Sequence, residues 1–313
     1  MQKFEIAGKA YSSWHLPLKS RYELIDEWED RAEITFNDEG LSLAGDKLVA
    51  YLSDATHAIT ALEKMTAEVL TALPDLQVIG KFGVGVDMID LDAMRTQGKR
   101  LGWTGGTNKR SVSELAIAFM LSHLRNLPEC RDLIAGGDWR VIKGRQLSDC
   151  TIAIIGCGHV GKDLARLLRA FGCRVLAHDI LDFPEFYAET GVEPVDLVTA
   201  LDTADIVSIH LPLDRSTQDL FSDKVLGLMG PDTLLINLAR GGIVDEATLE
   251  ARLKDGRLGA AAFDVFIEEP PQNRTLLTLP NFQVTPHIGG STEEGILAMG
   301  RAAIRGLSVN EIP

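Results

Sequence analysis

The sequence predicts an α/β fold with two doubly wound parallel sheets. Apolar runs of strand length alternate with longer helical patterns, as in proteins whose helices cover both faces of a parallel sheet. A second alternating series begins at Thr151, directly before a glycine-rich turn. With 313 residues, the chain is long enough for two domains.

The first series of apolar runs supplies the strands of one predicted sheet. Helical spacing of apolar residues predicts a helix over residues 66–72 and a long one over residues 111–127. Ser111 and Glu114 have the spacing of a capping box, which predicts that the long helix begins there. The predicted strands are residues 4–6, 33–36, 57–62, 78–81 and 101–104.

The second series supplies the other predicted sheet. One more helical pattern, residues 293–307, follows its last strand. We therefore predict a discontinuous domain of residues 1–104 and 286–313, into which a domain of residues 105–285 is inserted. The predicted strands of the inserted domain are residues 151–155, 174–178, 206–210, 234–238, 259–263 and 283–285, with helices over residues 162–170, 197–201 and 246–255.

Composition excludes several classes of protein. The formal net charge of −14 argues against a sequence-independent grip on nucleic acid or on an anionic membrane. No window approaches the ~18 apolar residues of a membrane span, and the N-terminal segment lacks the pattern of a signal peptide. Because Cys130, Cys150, Cys157 and Cys173 contain no CxxC pair, we expect reduced thiols in a cytoplasmic protein, and we predict no metal site.

A glycine pattern opens the second series. Gly156, Gly158 and Gly161 form G-x-G-x-x-G between the apolar strand TIAII and an amphipathic helical segment. In dinucleotide-binding turns, the first glycine permits the tight turn, the second lets pyrophosphate approach, and the third lets helix and strand pack closely. Asp179 ends the next predicted strand about 20 residues further on, where a carboxylate binds the ribose hydroxyls.

Asp179 also determines which dinucleotide we predict. A carboxylate at this position repels a 2′-phosphate, and the segment HDILDFPE contains no arginine or lysine to bind one. The sequence therefore favours NAD over NADP. The alternative is a glycine turn without a cofactor, but strand, turn, helix, strand and acid occur here in the order that a cofactor site needs.

Ionisable side chains follow several strands of the second series. Ligands bind at the carboxyl ends of parallel strands, and Arg240, Glu269 and His287 each follow such a strand. For a 2-hydroxy acid, a guanidinium fork suits the carboxylate, and an imidazole can exchange the hydroxyl proton as hydride leaves. We predict Arg240 as the carboxylate clamp, His287 as the acid/base, and Glu269 as the group that fixes the imidazole tautomer.

Simpler interpretations of these side chains stay open. Arg240 is consistent with a surface arginine in a glycine turn, and His287 with a buried structural histidine. Glu268 is an alternative to Glu269. Asp264 lies within an apolar strand run, where a structural hydrogen bond competes with a functional role.

Seven motifs together resemble the D-isomer-specific 2-hydroxyacid dehydrogenase family, in particular its phosphoglycerate dehydrogenase-like branch. The resemblance covers roughly residues 50–300 and rests on GKFGVGVDMID, GTNKRSVSELAIAFML, IAIIGCGHVGKDLARLL, HLPL, INLARGGIVDEATL, AAFDVFIEEPP and TPHIGGST. It implies a Rossmann NAD-binding domain inserted into a flavodoxin-like substrate-binding domain. It also implies that Arg240, Glu269 and His287 are the catalytic residues.

The resemblance implies further site residues and a partner. It implies a homodimer formed through the cofactor domain, with the stretch near Trp139 exchanged between subunits. Substrate-binding positions fall on Lys64, Phe82, Gly83, Val84, Gly85 and Asn108. Cofactor-binding positions fall on Gly156, Gly158, His159, Val160, Gly161, Asp179, His210, Pro212, Ala239, Asp264 (at the nicotinamide carboxamide) and Gly289.

The substrate is the part of the function that the sequence defines least. Met88 stands where the family often has asparagine, and Leu62 where many relatives have a small or hydroxyl residue. A cluster of four cations would suit a phosphate, as in 3-phosphoglycerate. The same side chains are equally consistent with solvated surface charge. Glyoxylate, hydroxypyruvate and a bulkier 2-keto acid are the alternatives. The cations are Lys64, Lys81, Lys109 and Arg110.

Two other functions compete with a 2-hydroxyacid dehydrogenase. Formate dehydrogenases resemble this chain but replace the glutamate with glutamine, whereas the sequence here keeps Glu269. Some family members act as NAD-sensing corepressors and keep the three catalytic residues, so the motifs do not separate this alternative. The complete motif set favours the dehydrogenase.

Overall fold

The computed structural model describes residues 2–7 and 17–313. The chain divides into two compact units, here called the first and the second unit. The first comprises the chain up to Asn108 together with Gly290–Pro313, and the second comprises Lys109–Gly289. Both crossings between the units lie four residues later than the predicted boundaries after residues 104 and 285.

The first unit contains a five-stranded parallel sheet in the order β2-β1-β3-β4-β5. This is the strand order of flavodoxin-like sheets. Its strands are β1 Gln2–Ile6, β2 Ala32–Phe36, β3 His57–Thr60, β4 Val78–Lys81 and β5 Arg100–Gly102. Its helices are α1 Pro17–Trp28, α2 Asp46–Tyr51, α3 Ala67–Thr71, α4 Leu91–Thr96 and, at the end of the chain, α13 Glu293–Ser308.

The second unit contains a seven-stranded parallel sheet in the order β12-β11-β10-β9-β6-β7-β8. The chain reverses its direction of winding between β6 and β9, as in dinucleotide-binding folds. Its strands are β6 Thr151–Ile155, β7 Arg174–His178, β8 Glu193–Pro194, β9 Ile206–Ile209, β10 Leu234–Asn237, β11 Ala260–Phe263 and β12 Phe282–Val284. Its α-helices are α5 Lys109–Leu124, α6 Leu127–Ala135, α7 His159–Ala170, α8 Pro184–Thr190, α9 Leu197–Thr203, α10 Asp223–Leu226, α11 Glu246–Lys254 and α12 Arg274–Leu277.

The predicted fold class, with two doubly wound parallel sheets, is confirmed. The apolar runs form strands because helices cover both faces of each sheet, so that every residue of β9, β10 and β11 is buried. The short strand β8 was not predicted, because its two residues are exposed and polar or proline.

The predicted helix over residues 111–127 is confirmed up to Leu124, where α5 ends, but its predicted end is wrong. Asn126 adopts a left-handed backbone with φ of 51°, and Leu127 begins the next helix. The predicted capping box is also wrong, since α5 begins at Lys109. Ser111 instead donates its hydroxyl proton to the Gly289 carbonyl, at 2.5 Å.

The last helix completes the core of the first unit. Ala303, Ile304 and Leu307 of α13 pack in one apolar cluster with Phe4 and Ile59 of the sheet. A side chain at Gly102 of β5 would place its Cβ only 2.0 Å from the Gly306 carbonyl oxygen. Glycine therefore lets α13 approach this sheet, which ties the C-terminal segment to a unit whose other residues lie some 180 positions earlier.

None of the helices in the described part of the chain combines the length and the hydropathy needed to cross a membrane. All four cysteines are free, and Cys150, Cys157 and Cys173 are buried. Burial raises the pKa of the Cys157 and Cys173 thiols to about 11, so both thiols stay protonated near neutral pH.

Candidate active site

The glycine turn lies at the carboxyl end of β6, where the winding of the second sheet reverses. Gly156 has a φ of 98°, and a Cβ there would meet the His210 carbonyl oxygen at 2.6 Å. A Cβ at Gly161 would meet the Gly156 carbonyl oxygen at 2.1 Å, so only glycine lets the start of α7 pack onto the turn. The first and third glycines therefore have the structural roles predicted for them.

The surroundings of the turn fit a pyrophosphate. A Cβ built on Gly158 meets no atom within 4 Å, so the second glycine faces open space. Helix α7 begins at His159, and no side chain caps its first backbone N–H groups. These N–H groups and the helix dipole favour a bound anion. Val160, the other predicted contact in this turn, lies in the same first helical turn and is half-buried.

Asp179 lies directly after β7, beside the same turn. Its Oδ2 accepts a hydrogen bond from the Cys157 N–H at 2.6 Å, and its Oδ1 accepts one from the Leu181 N–H at 2.8 Å. Both bonds hold the carboxylate at the edge of the glycine turn. Lys162 of α7 lies against the Phe183 ring of the following loop, with its Nζ 3.3 Å from the ring centroid. The sequence argument missed this cation because it considered only the segment after Asp179.

The segment after β9 carries the next predicted cofactor contacts. His210 Nε2 lies 2.8 Å from the Ser208 hydroxyl. Burial lowers the pKa of His210 to about 4, so its imidazole is neutral over the physiological range. Pro212 is exposed, and its carbonyl accepts the Thr217 hydroxyl at 2.7 Å. A charge change of the site near pH 6–7 therefore does not come from His210.

Arg240 follows β10 in a turn that a buried amide organises. Asn237 is fully buried; its Nδ2 donates to the Arg240 carbonyl at 2.9 Å, and its Oδ1 accepts from the Ala239 N–H at 3.1 Å. The Arg240 guanidinium is half-buried and donates through Nη1 to the Ala239 carbonyl at 2.7 Å. The sequence analysis did not single out Asn237, although a polar residue within the apolar run LLINLA was a signal for it.

Glu269 and His287 are in contact, although 18 residues separate them. Glu269 Oε2 lies 2.7 Å from His287 Nδ1, and Glu269 Oε1 accepts the Phe266 N–H at 3.1 Å. These residues follow β11 and β12, which are neighbours of β10 in the sheet. The imidazole therefore contacts Glu269, which decides between this residue and Glu268.

Asp264 organises the segment that carries His287. Its side chain is 1% exposed, and its carboxylate accepts three hydrogen bonds. The donors are the Thr285 hydroxyl at 2.5 Å and the Ile288 and Gly289 N–H groups, both at 2.7 Å. The structural hydrogen bond that the sequence left open for Asp264 is therefore present, and it fixes the backbone on both sides of His287.

The backbone of His287 is itself unusual. Its φ of 54° lies in the left-handed region, which costs a non-glycine residue of order 1–3 kcal/mol. Its N–H donates to the Asp264 carbonyl at 2.9 Å, next to the bonds that the Asp264 carboxylate accepts. The surrounding bonds thus hold a strained residue in place, a feature that is frequent at functional sites.

In the first unit, the predicted substrate loop Phe82, Gly83, Val84 and Gly85 follows β4. The neighbouring Lys81 is only 4% exposed, and its ammonium donates to the Ala61 and Phe82 carbonyls at 2.6 and 2.8 Å. Glu63 Oε2 accepts the Ala61 N–H at 2.7 Å. The expectation that Lys81 places charge at a cleft mouth is wrong, because its buried ammonium joins the loops after β3 and β4 through hydrogen bonds to their carbonyl groups.

Other predicted substrate residues differ in their environments. Lys64 is exposed in the loop after β3. Asn108 is buried, and within the described part of the chain no group hydrogen-bonds to its Oδ1. Arg110, a further predicted phosphate contact, forms a bidentate pair with Asp163 at 2.8 and 2.9 Å.

Over residues 2–7 and 17–313, no group of three or more His, Cys, Asp or Glu side chains is placed to hold a metal ion.

A family comparison agrees with this geometry. The model of the D-isomer specific 2-hydroxyacid dehydrogenase, NAD binding domain, matches residues 117–289. The chain belongs to this dehydrogenase family. The matched region contains the glycine turn, Asp179, Arg240, Glu269 and His287. This match to an NAD-binding domain confirms the prediction that NAD is the cofactor.

Relatives within the family differ in what their names say they act on. The chain is 36% identical over 262 residues to the D-3-phosphoglycerate dehydrogenase of Methanocaldococcus jannaschii, covering 82% of this chain and 50% of that protein. It is 33% identical over 280 residues to the hydroxypyruvate reductase of Thermotoga maritima, covering 88% of each. The chain thus spans about half the length of the phosphoglycerate dehydrogenases it matches.

A solved structure covers both units. A protein of Thermus thermophilus superimposes with a TM-score of 0.84 over 98% of this chain and 96% of that chain, at 30% identity. The likeness extends over both sheets and includes the C-terminal helix α13, so the two-unit organisation is common to both proteins.

The position of Asp179 predicts which dinucleotide the glycine turn prefers. We expect Asp179→Asn to lower the preference for NAD over NADP, as the ratio of dissociation constants, by roughly 10-fold, because a repulsion of about 1.4 kcal/mol corresponds to tenfold. Asparagine keeps an oxygen that can accept the Cys157 N–H. Fluorescence titration with the two reduced dinucleotides measures the ratio, with Asp202→Asn at an exposed position of α9 as the control. An unchanged ratio would remove Asp179 from this role.

Proposed function

We propose that the chain is a cytoplasmic NAD-dependent D-2-hydroxyacid dehydrogenase that interconverts a 2-hydroxy acid and the 2-keto acid. The single observation that carries the proposal is the 2.7 Å contact between Glu269 and His287 at the carboxyl end of the second sheet. NAD, when bound, supplies the acceptor for the hydride that leaves C2. Gly156, Gly158, Gly161 and Asp179 would hold it, and free thiols support the cytoplasmic location.

His287 exchanges the proton of the substrate hydroxyl in this proposal. A protonated Nδ1 donates to Glu269 Oε2, so that Nε2 is the ring nitrogen left for the substrate. In the oxidation direction Nε2 takes the hydroxyl proton, and in the reduction direction it returns a proton to the carbonyl oxygen. Glu269 keeps the ring in the required tautomer and orientation, as carboxylates do for catalytic histidines.

Arg240 binds the substrate carboxylate in this proposal. The guanidinium offers a planar fork of donors that is always charged. In the first unit, the loop after β4 is the second proposed carboxylate-binding element. Gly83, Val84 and Gly85 supply its N–H groups, because the Phe82 N–H already donates to the Thr60 carbonyl at 2.8 Å. The support for Arg240 is its position after β10, next to the strand that precedes Glu269, in a turn that Asn237 holds by two hydrogen bonds.

Two candidate substrates and one non-enzymatic function are to be distinguished. Hydroxypyruvate reduction is favoured by the Thermotoga maritima relative, which matches 88% of both chains, and 3-phosphoglycerate oxidation by the Methanocaldococcus jannaschii relative. A non-enzymatic NAD-sensing corepressor would keep the same side chains. Turnover of a 2-keto acid with NADH distinguishes the enzyme from the corepressor, because cofactor binding alone occurs in both.

We also propose a homodimer formed through the second unit. Helix α6 has no buried residue, although it carries Leu127 and Ile134. The following segment exposes Trp139 by 84% and Val141 by 89%. Large apolar side chains exposed together are typical of a protein–protein interface. A second copy of the chain is the occupant proposed for this surface.

The acid/base role predicts a loss of turnover without a loss of cofactor binding. We expect His287→Ala to lower kcat by roughly 10²–10⁴-fold, which is the contribution of a positioned acid/base. Glu269→Gln should lower kcat as well, whereas Glu268→Gln on the adjacent exposed residue should leave it unchanged. Steady-state NADH absorbance measures kcat, and fluorescence titration measures NADH affinity. Full turnover by His287→Ala contradicts the proposal.

The clamp role predicts a change in substrate binding for Arg240→Lys. We expect KM for the 2-keto acid to rise by about 10-fold or more, because a point charge does not reproduce a bidentate fork. Arg174→Lys is the control, since Arg174 begins β7 at the opposite end of the sheet. Unaltered KM and kcat in Arg240→Lys would exclude the clamp.

The dimer proposal predicts a change in mass for Trp139→Ala. Size-exclusion chromatography with light scattering should give twice the chain mass for the wild type and a shift toward the monomer for the variant. Truncating a buried aromatic anchor typically costs about 2 kcal/mol or more of association free energy. Tyr22→Ala, an exposed aromatic on α1 of the first unit, should stay dimeric. A monomeric wild type, or a variant with unchanged mass at all concentrations, contradicts the proposal.

A further inference from the structure

We infer that the substrate carries an apolar group on C3, such as a branched aliphatic or aromatic side chain, rather than a phosphate or a hydroxyl. The inference rests on the proposed dehydrogenase function and specifies its substrate class. The observations that carry it all lie in the first unit, at the carboxyl ends of β3, β4 and β5.

Four apolar side chains collect at this edge of the five-stranded sheet. Leu62 follows β3 and is 75% exposed, and Trp103 follows β5 and is 46% exposed. Phe82 and Val84, which follow β4, are half-buried, and Phe82 also packs against the core of the first unit. We call these four residues the apolar rim. Because β3, β4 and β5 are adjacent in the sheet, Leu62 and Trp103 lie on the two sides of the loop that carries Phe82 and Val84.

Trp103 is fixed against that loop. Its indole Nε1 donates to the Val84 carbonyl at 3.0 Å. The polar group of the side chain is therefore satisfied by the protein, and the rest of the ring is a rigid apolar surface. A tryptophan held in this way loses little conformational entropy when it contacts a ligand.

The rim borders the loop to which the proposed function assigns the substrate carboxylate. With the carboxylate on the Gly83, Val84 and Gly85 N–H groups, the remaining carbon chain begins beside the same loop. Leu62 and Trp103 border the loop from the two neighbouring strands. Ligand sites consist mainly of apolar side chains with a few polar groups that fix orientation, and the rim with its loop has that composition.

Two of the four cations that could have bound a phosphate are engaged elsewhere. The Lys81 ammonium is buried and donates to the Ala61 and Phe82 carbonyls. Arg110 pairs with Asp163 through both arms of its guanidinium. Lys64 and Lys109 are exposed, so a phosphate is the outcome against which the inference is tested.

Reduction rates with NADH test the inference. The purified full chain is assayed with 4-methyl-2-oxopentanoate and phenylpyruvate, and with glyoxylate, hydroxypyruvate and 3-phosphohydroxypyruvate. We expect kcat/KM to be at least 10-fold higher for one of the two apolar acids than for each of the other three. A higher value for 3-phosphohydroxypyruvate, hydroxypyruvate or glyoxylate overturns the inference and leaves the proposed function standing. No turnover of any acid overturns both.

Variants of the rim show whether Leu62 sets this preference. Leu62→Ala should lower kcat/KM for the preferred apolar acid by about 10-fold, with less than a twofold change for glyoxylate. Leu62→Lys should shift the preference toward 3-phosphohydroxypyruvate. Val309→Ala is the control: Val309 is 61% exposed, and its neighbour Asn310 contacts Arg100 at the opposite, amino end of β5. Equal losses for apolar and small acids in Leu62→Ala contradict a role in specificity.

Discussion

The candidate site depends on the hydrogen bonds that the buried Asp264 carboxylate accepts. A carboxylate that is 1% exposed is costly unless several donors satisfy it, and here a hydroxyl and two backbone N–H groups do so. All three donors belong to the segment from Thr285 to Gly289. This segment holds His287 at a φ of 54°, a backbone conformation that costs a non-glycine residue free energy and persists where the surrounding structure fixes it. One buried carboxylate thus links the end of β11 to His287 after β12.

The parallel sheet brings the other parts of the site to the same edge. Strands β10, β11 and β12 are neighbours, and Arg240, Glu269 and His287 each follow one of them. Every strand contributes its carboxyl end to this edge, so residues distant in sequence meet without any long-range element of their own. The local details come from buried polar groups, such as Asn237, which holds the Arg240 turn. The side chains of the candidate site therefore lie in the loops that follow the strands, not in the strands themselves.

The strands and the positions of the candidate site residues at the strand ends were predictable for the same reason. Strands buried on both faces are continuous apolar runs, and functional residues of this fold directly follow them. Interactions that the sequence did not reveal join residues far apart: Ser111 was interpreted as a cap, but it bonds to Gly289, 178 residues away. The sequence allows Lys81 to be either a phosphate-binding cation or a solvated surface charge, but its ammonium donates to the carbonyl of Ala61, 20 residues earlier. In both cases the residue type fits the local interpretation, but a hydrogen-bond partner distant in sequence determines what the side chain does.

We propose that Glu269 fixes the ring of His287 so that Nδ1 carries its proton and Nε2 serves the substrate. Nitrogen-15 NMR of the histidine-labelled protein measures this directly, with the His287 signals assigned by their loss in His287→Ala. We expect a neutral ring protonated on Nδ1 in the wild type, and a changed tautomer population in Glu269→Gln. A neutral ring protonated on Nε2, with the same spectrum in Glu269→Gln, would contradict it.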